Sequence, residues 1–331
     1  MNELTYNPIQ LGKEASGHEP IMWKWNDELH ATLAIVGADN GPRYNLVNRI
    51  ITEVQNQDAD STFHITQSNQ VVGVRIDSNA ILVSESFPDP HESFEDRQTF
   101  INIRRNLSSS YFNLFAKDKG LSSRSELLPA TSYRWHAEGP LNGYIRTINE
   151  LPEENPYKQD LLNELEMISS VPWYKSKDHG TVYYLESDGS DYKKAISFLR
   201  GVWSYWAMVG CLENPQQMLL VVDTPSDLLN NTVEPAVASV MDLAFNILRY
   251  LAYETTVSLL LSSERMYPAP EKQFRYKIVF SAAEQTDFDL NSDSIKPAVN
   301  PLVFDMWQKG DVTAGVHFDG DSQTVIIPER L

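Results

Sequence analysis

Apolar positions along this chain follow two periods, and where one gives way to the other the elements can be read. Residues 30–38, HATLAIVGA, are almost continuously apolar, the pattern of a central strand covered on both faces. IMWKW at 21–25 alternates, with Trp23 and Trp25 opposite Lys24, and reads as a half-buried strand. An amphipathic helix at 43–57 follows the first run. TFHITQ, VVGVRI and AILVSES then come in quick succession between polar turns, which predicts an antiparallel meander. A long helix is expected over 93–115, with Ser93 and Asp96 at the spacing of a capping box. After a helix at 157–170 the order becomes strand GTVYYLES, helix 191–211, strand 217–224, helix 234–253 and strand 255–263. Strands alternating with helices predict βαβ units and a parallel or mixed sheet. The strand FRYKIVFSAA (274–282), a helix near 299–309 and a hairpin at 312–328 turning at Asp319-Gly320 complete the chain.

These elements add up to an α/β or α+β fold. A mixed β-sheet core carries Rossmann-like strand–turn–helix units, with meander and hairpin additions. Residues 1–19 read as an irregular N-terminal arm, and 20–116 as an α+β region with the meander and the long helix. Residues 117–156 are rich in turn formers and read as a linker or long excursion. Residues 157–331 form an α/β region that either stands alone or joins 20–116. A chain of 331 residues, 42% of them hydrophobic, can bury a core of that size.

Two strand–turn–helix junctions are the places where such folds put chemistry. The first is LAIVGADNGPRYNLVNRI, residues 33–50. A phosphate-binding loop of the form G-x-x-x-x-G-K-[ST] cradles phosphates with its amides and neutralises them with its lysine. Here Gly37 and Gly41 are one residue too close, and Pro42 and Arg43 stand where Lys and Ser or Thr belong. The dinucleotide pattern G-x-G-x-x-G fails as well, since Asp39 and Pro42 fall on its later glycines. Asp39 sits near the positive end of the helix dipole, the niche a phosphate would use, and Pro42 suits the first helical position. A self-satisfied turn and an atypical ligand pocket using Asp39 and Arg43 are both open readings. The second junction is LLVVDTPSDLLNN. Its Asp223 ends an apolar strand, where ligand-facing groups of an open α/β sheet collect, and Asp223 with Asp227 could hold Mg²⁺ through water. An ordinary turn with a capping aspartate reads the same residues without a ligand.

Other chemistries find less support. None of the seven histidines has another at zinc-ligand spacing. His91, Glu92, Glu95 and Asp96 gather at a helix start, where capping explains them. Asp287, Asp289 and Asn291 open like an EF-hand, but Ser292 and Ala298 stand where glycine and glutamate are needed. There is no G-x-S-x-G elbow. No resident metal or cofactor is therefore expected. The loop SYRWHAEGPLNGY concentrates Arg134, Trp135, His136 and Tyr144, residue types enriched at binding hot spots. Tyr205 and Trp206 are adjacent on the helix 191–211, so one of them is available to a partner surface.

Charge and cysteine usage narrow the class. The net charge of −18 is spread along both halves, which disfavours direct contact with a phosphate backbone. The single cysteine, Cys211, allows no intrachain disulfide and fits a reducing cytoplasm. The N-terminus shows no basic region leading into an apolar run, so no signal peptide is expected. The most apolar window, 235–261, contains Asp242, Asn246, Arg249 and Glu254, so no membrane insertion is expected. The leading expectation is a non-catalytic cytosolic adaptor or structural subunit of a larger assembly, recognised by protein partners. The alternative is a nucleotide- or small-ligand-binding protein or enzyme, with its site near Gly37 and Asp223. A lesser alternative is an acidic nucleic-acid mimic that binds a basic protein.

Overall fold

The computed structural model describes residues 7–15, 19–25, 32–37, 42–57, 62–66, 81–83, 97–127, 146–169, 173–176, 180–184, 188–209, 218–224, 228, 233–254, 257–263, 274, 276–280, 315–319 and 322–327. Among these residues the strands are β1 (Ile9–Glu14), β2 (Pro20–Trp23), β3 (Thr32–Val36), β4 (Thr62–Thr66), β5 (Ile81–Val83), β6 (Trp173–Ser176), β7 (Gly180–Tyr184), β8 (Met218–Thr224), β9 (Val257–Ser263), β10 (Tyr276–Val279), β11 (Gly315–Asp319) and β12 (Ser322–Ile327). The helices are α1 (Pro42–Gln57), α2 (Arg97–Asp118), α3 (Arg124–Leu127), α4 (Lys158–Ser169), α5 (Asp191–Val209) and α6 (Pro235–Glu254). All the strands join one mixed sheet in the order β2-β1-β12-β11-β10-β3-β9-β8-β4-β7-β6-β5. The fold is α/β, as the alternation of strands and helices predicts.

The parallel centre runs β10-β3-β9-β8-β4-β7, with antiparallel strands on both flanks. The chain leaves β3 through α1 to reach β4 on one side, and leaves β8 through α6 to reach β9 on the other. Right-handed crossovers that travel in opposite directions lay their helices on opposite faces of a sheet. The core divides accordingly. Leu46, Val47, Ile50, Ile51 and Val54 of α1 pack with Leu33, Ile35, Leu219, Val221, Leu260 and Ile278. On the other face, residues of α2 through α6 pack with Phe63, Ile65, Leu220, Val222, Leu259 and Leu261. Successive residues of β8 and β9 thus belong to different cores, as the two-residue period of a strand requires. On the many-helix face, Arg200 of α5 donates to Glu164 of α4 at 2.7 Å and to the Tyr111 hydroxyl of α2 at 3.0 Å.

Several expectations change. The expected meander is corrected: β4 lies between β8 and β7 and pairs with both in parallel, while β5 pairs antiparallel with β6. Short alternating runs look alike in sequence whether or not they pair with each other. Residues 71–76, its middle member, lie outside the described residues. Residues 9–14, expected to be irregular, form β1 between β2 and β12, with Ile9 and Leu11 buried. Its partner β12 is at the far end of the chain, so no local signal marks it. Tyr205 is corrected as a partner-surface residue: it is fully buried, its ring centroid 4.8 Å from that of Phe63. Ser93, Asp96, the helix near 299–309 and Cys211 lie outside the described residues. No described helix is long and apolar enough to cross a membrane.

Candidate functional site

The C-terminal ends of the parallel strands change character within one pleat. On the α1 face, Leu33, Leu260, Val221 and His64 stand in register across β3, β9, β8 and β4. One step further along the strands the same face carries Ile35, Ser262, Asp223 and Thr66. A row of three aliphatic side chains and His64 is followed by one in which Ile35 is joined by three polar side chains, and those three are buried: Thr66 is 1%, Asp223 4% and Ser262 0% exposed. The Thr66 hydroxyl donates to the Asp223 carboxylate at 3.3 Å. Ser258, two pleat repeats earlier on this face of β9 with Leu260 between, spends its hydroxyl on the Trp25 carbonyl. The Ser262 hydroxyl has no hydrogen-bond partner among the described residues.

The first turn of α1 is at the same end and on the same face. α1 follows β3, β3 is parallel to β9 and β8, and the α1 core residues lie on this side. The amide end of a helix therefore faces the margin that carries Asp223, an arrangement that favours anions through unsatisfied N–H groups and the helix dipole. It is also a topological switch point. β3 and β9 are neighbours, yet the chain proceeds from β3 towards β4 and from β9 towards β10, in opposite directions. Open α/β sheets bind ligands at such a crevice.

The two junctions singled out in the sequence are thus brought together, though not as direct neighbours. β9 lies between β3 and β8. Two strand spacings and a two-residue offset put Gly37 and Asp223 about 12 Å apart, within reach of one ligand. Arg43 is 1% exposed in the first turn of α1, its guanidinium carbon 4.5 Å from the centre of the Tyr44 ring. Gly37 has a packing role: its N–H donates to the Ser263 carbonyl at 3.1 Å, and a Cβ there would fall 2.8 Å from the Phe280 Cβ. The glycine that resembles the start of a phosphate loop is required by the close approach of Phe280. Asp39 and Asp227 lie outside the described residues, as do Gly41, Arg134, Trp135, His136 and Tyr144, the acidic cluster at 91–96 and the segment 287–294.

Sequence reasoning missed Ser262 and Thr66. Both sit at the ends of apolar strands, and a Ser or Thr at a strand end is too common to stand out. The usable signal is their alignment with Asp223, which needs the register.

No family model and no curated protein matches the chain. Solved structures do. VirB4 of Thermoanaerobacter pseudethanolicus matches with a TM-score of 0.60 and 12% identity, over 99% of this chain and 97% of that one. The cytoplasmic domain of the Thermomonospora curvata Type VII secretion ATPase EccC matches at 0.44 and 10% identity, over 98% of this chain and 29% of that one. The genome packaging NTPase B204 of Sulfolobus turreted icosahedral virus 2 matches at 0.38 and 12% identity, over 91% and 97%. The last two superpose too loosely to bear on the site. The likeness to VirB4 establishes a shared fold along both whole chains. It overturns the expectation of a non-catalytic adaptor. That expectation rested on missing cofactor motifs, and both junctions discounted on that ground lie at one strand margin of this shared fold.

Proposed function

We propose that this chain binds a nucleotide at the C-terminal margin of β3, β9, β8 and β4, with its phosphates at the first turn of α1. The observation that carries the reading is the buried polar row of Thr66, Asp223 and Ser262 beneath that helix terminus. The VirB4-like fold supports it, and the expected partner proteins of an adaptor are not needed to explain it.

The donor set also constrains the form of the ligand. Asp223 is the carboxylate of the row, and a free polyphosphate beside a buried carboxylate would be repelled. A nucleotide carrying Mg²⁺ removes that conflict, because hard cations take carboxylate and hydroxyl oxygens. The cation would supply charge neutralisation at the phosphates. Asp223 would hold it, directly or through water, and Thr66 orients the Asp223 carboxylate through its hydrogen bond. The sequence departs from the usual phosphate loop at Pro42 and Arg43, so neutralisation falls more heavily on the cation than in a loop with a lysine.

The test is a titration of the purified full chain with a fluorescent ATP analogue, with Mg²⁺ and again with EDTA. Saturable binding that needs Mg²⁺ and weakens at least tenfold in Asp223→Asn is expected. Binding unchanged by both EDTA and Asp223→Asn, or no binding at any concentration, refutes the proposal.

A further inference from the structure

We infer that Ser262 supplies a third ligand contact of this site, a hydroxyl hydrogen bond from the strand that lies between the two junctions. The inference rests on the nucleotide reading above and adds to it a residue that neither junction contains.

The argument starts from an oddity of β9. Its sequence VSLLLSS is buried at every position, and three of its seven residues are serines, Ser258 and Ser262 on the α1 face and Ser263 at its end. Both serines on the α1 face are thus hydroxyls taken out of water. Ser258 is satisfied by the Trp25 carbonyl. Ser262 has no partner among the described residues. A buried hydroxyl without a hydrogen bond destabilises the folded chain, and an alanine would avoid that cost. Ser262 also stands in register with Asp223, one strand spacing away, about 4.8 Å between backbones. On its other side it aligns with Ile35, two residues before Gly37. A ligand bridging the first turn of α1 and Asp223 must pass over Ser262. The hydroxyl can then donate to a phosphate oxygen or to a water on the cation, and the cost carried in the free protein is recovered on binding.

This predicts opposite signs for stability and affinity. Ser262→Ala is expected to raise the melting temperature of the ligand-free chain by about 1–3 °C, because it removes an unsatisfied polar group. The same substitution is expected to weaken binding of the fluorescent Mg·ATP analogue about 10- to 100-fold, the loss of a hydrogen bond to a charged group. Ser258→Ala is the control from the same strand and face. It should lower the melting temperature and leave nucleotide affinity unchanged. Ser262→Cys keeps a weak donor of similar volume and should fall between wild type and alanine in affinity.

A merely structural serine would behave like Ser258. Wild-type affinity in Ser262→Ala, or a ligand-free melting temperature below wild type, overturns the inference and leaves the nucleotide reading standing. A wild-type chain that binds no Mg·nucleotide overturns both.

Discussion

Gly37→Ala separates two explanations of the most conspicuous glycine in the chain. In the first, glycine is present because Phe280 approaches too closely for a side chain. In the second, it is present because a ligand does. A Cβ on Gly37 would lie 2.8 Å from the Phe280 Cβ, with the Phe280 Cα 3.6 Å away. The nearest atom is fixed to the backbone, so no rotamer change clears the clash. β3 and β10 must separate by several tenths of an ångström. That strains two bonds, Gly37 N–H to the Ser263 carbonyl at 3.1 Å and Phe280 N–H to the Val36 carbonyl at 2.8 Å. Overpacking of this kind costs about 1–3 kcal/mol. Gly37 is not among the described glycines at positive φ, so alanine recovers about 0.4–1 kcal/mol by restricting the unfolded chain. The net loss is about 1–2 kcal/mol, or roughly 2–4 °C in melting temperature. Urea and thermal unfolding followed by circular dichroism measure it. Stability at or above wild type would refute the packing argument, and intact stability with lost nucleotide affinity would establish the ligand explanation in its place.

Two other features give predictions of their own. Arg200→Leu takes the counter-charge from the Glu164 carboxylate among α2, α4 and α5, leaving it the hydrogen bond that the Tyr111 hydroxyl donates, and should cost about 3–5 kcal/mol in urea unfolding; Glu164→Leu combined with it should cost less than the two single losses added, and simple additivity would show that the three groups do not act together. Burial holds the His317 imidazole down at about 4 from its ordinary 6.5, against the opposing pull of the Asp319 carboxylate. The folded state therefore favours the neutral ring, so this stabilisation is fully present above about pH 6.5 and is lost as the pH falls towards 4. It amounts to about 3 kcal/mol at most. His317→Gln should flatten the stability profile between pH 4 and 6.5 relative to wild type, and parallel profiles would contradict the assignment.

Much of the architecture was legible from local pattern. A continuous apolar run specified β3, and residues at helical spacing specified α1, α5 and α6, because burial on one or both faces imprints a period on the chain itself. Pro42 and the polar turn marked where α1 begins. The antiparallel pairing of β11 with β12 was readable because the two strands are neighbours in sequence as well as in space. The site was legible only in fragments. Gly37 and Asp223 stood out singly, and each alone was better explained as a turn.

Relations between distant segments were decided by the tertiary structure. β1 is a strand because β12 pairs with it from the other end of the chain. β4 left its expected meander because β8 and β7, each more than a hundred residues away, offered parallel partners. Ser262 acquired meaning when the register set it beside Asp223, and Tyr205 lost its surface role when Phe63 covered it. The physical reason is common to these cases. Hydrophobic periodicity records how deeply a residue is buried and on which face, and that is a property of the local chain. Strand order and register are chosen by the pairing energy of the whole sheet, and a site assembled across four strands exists only once that choice has been made.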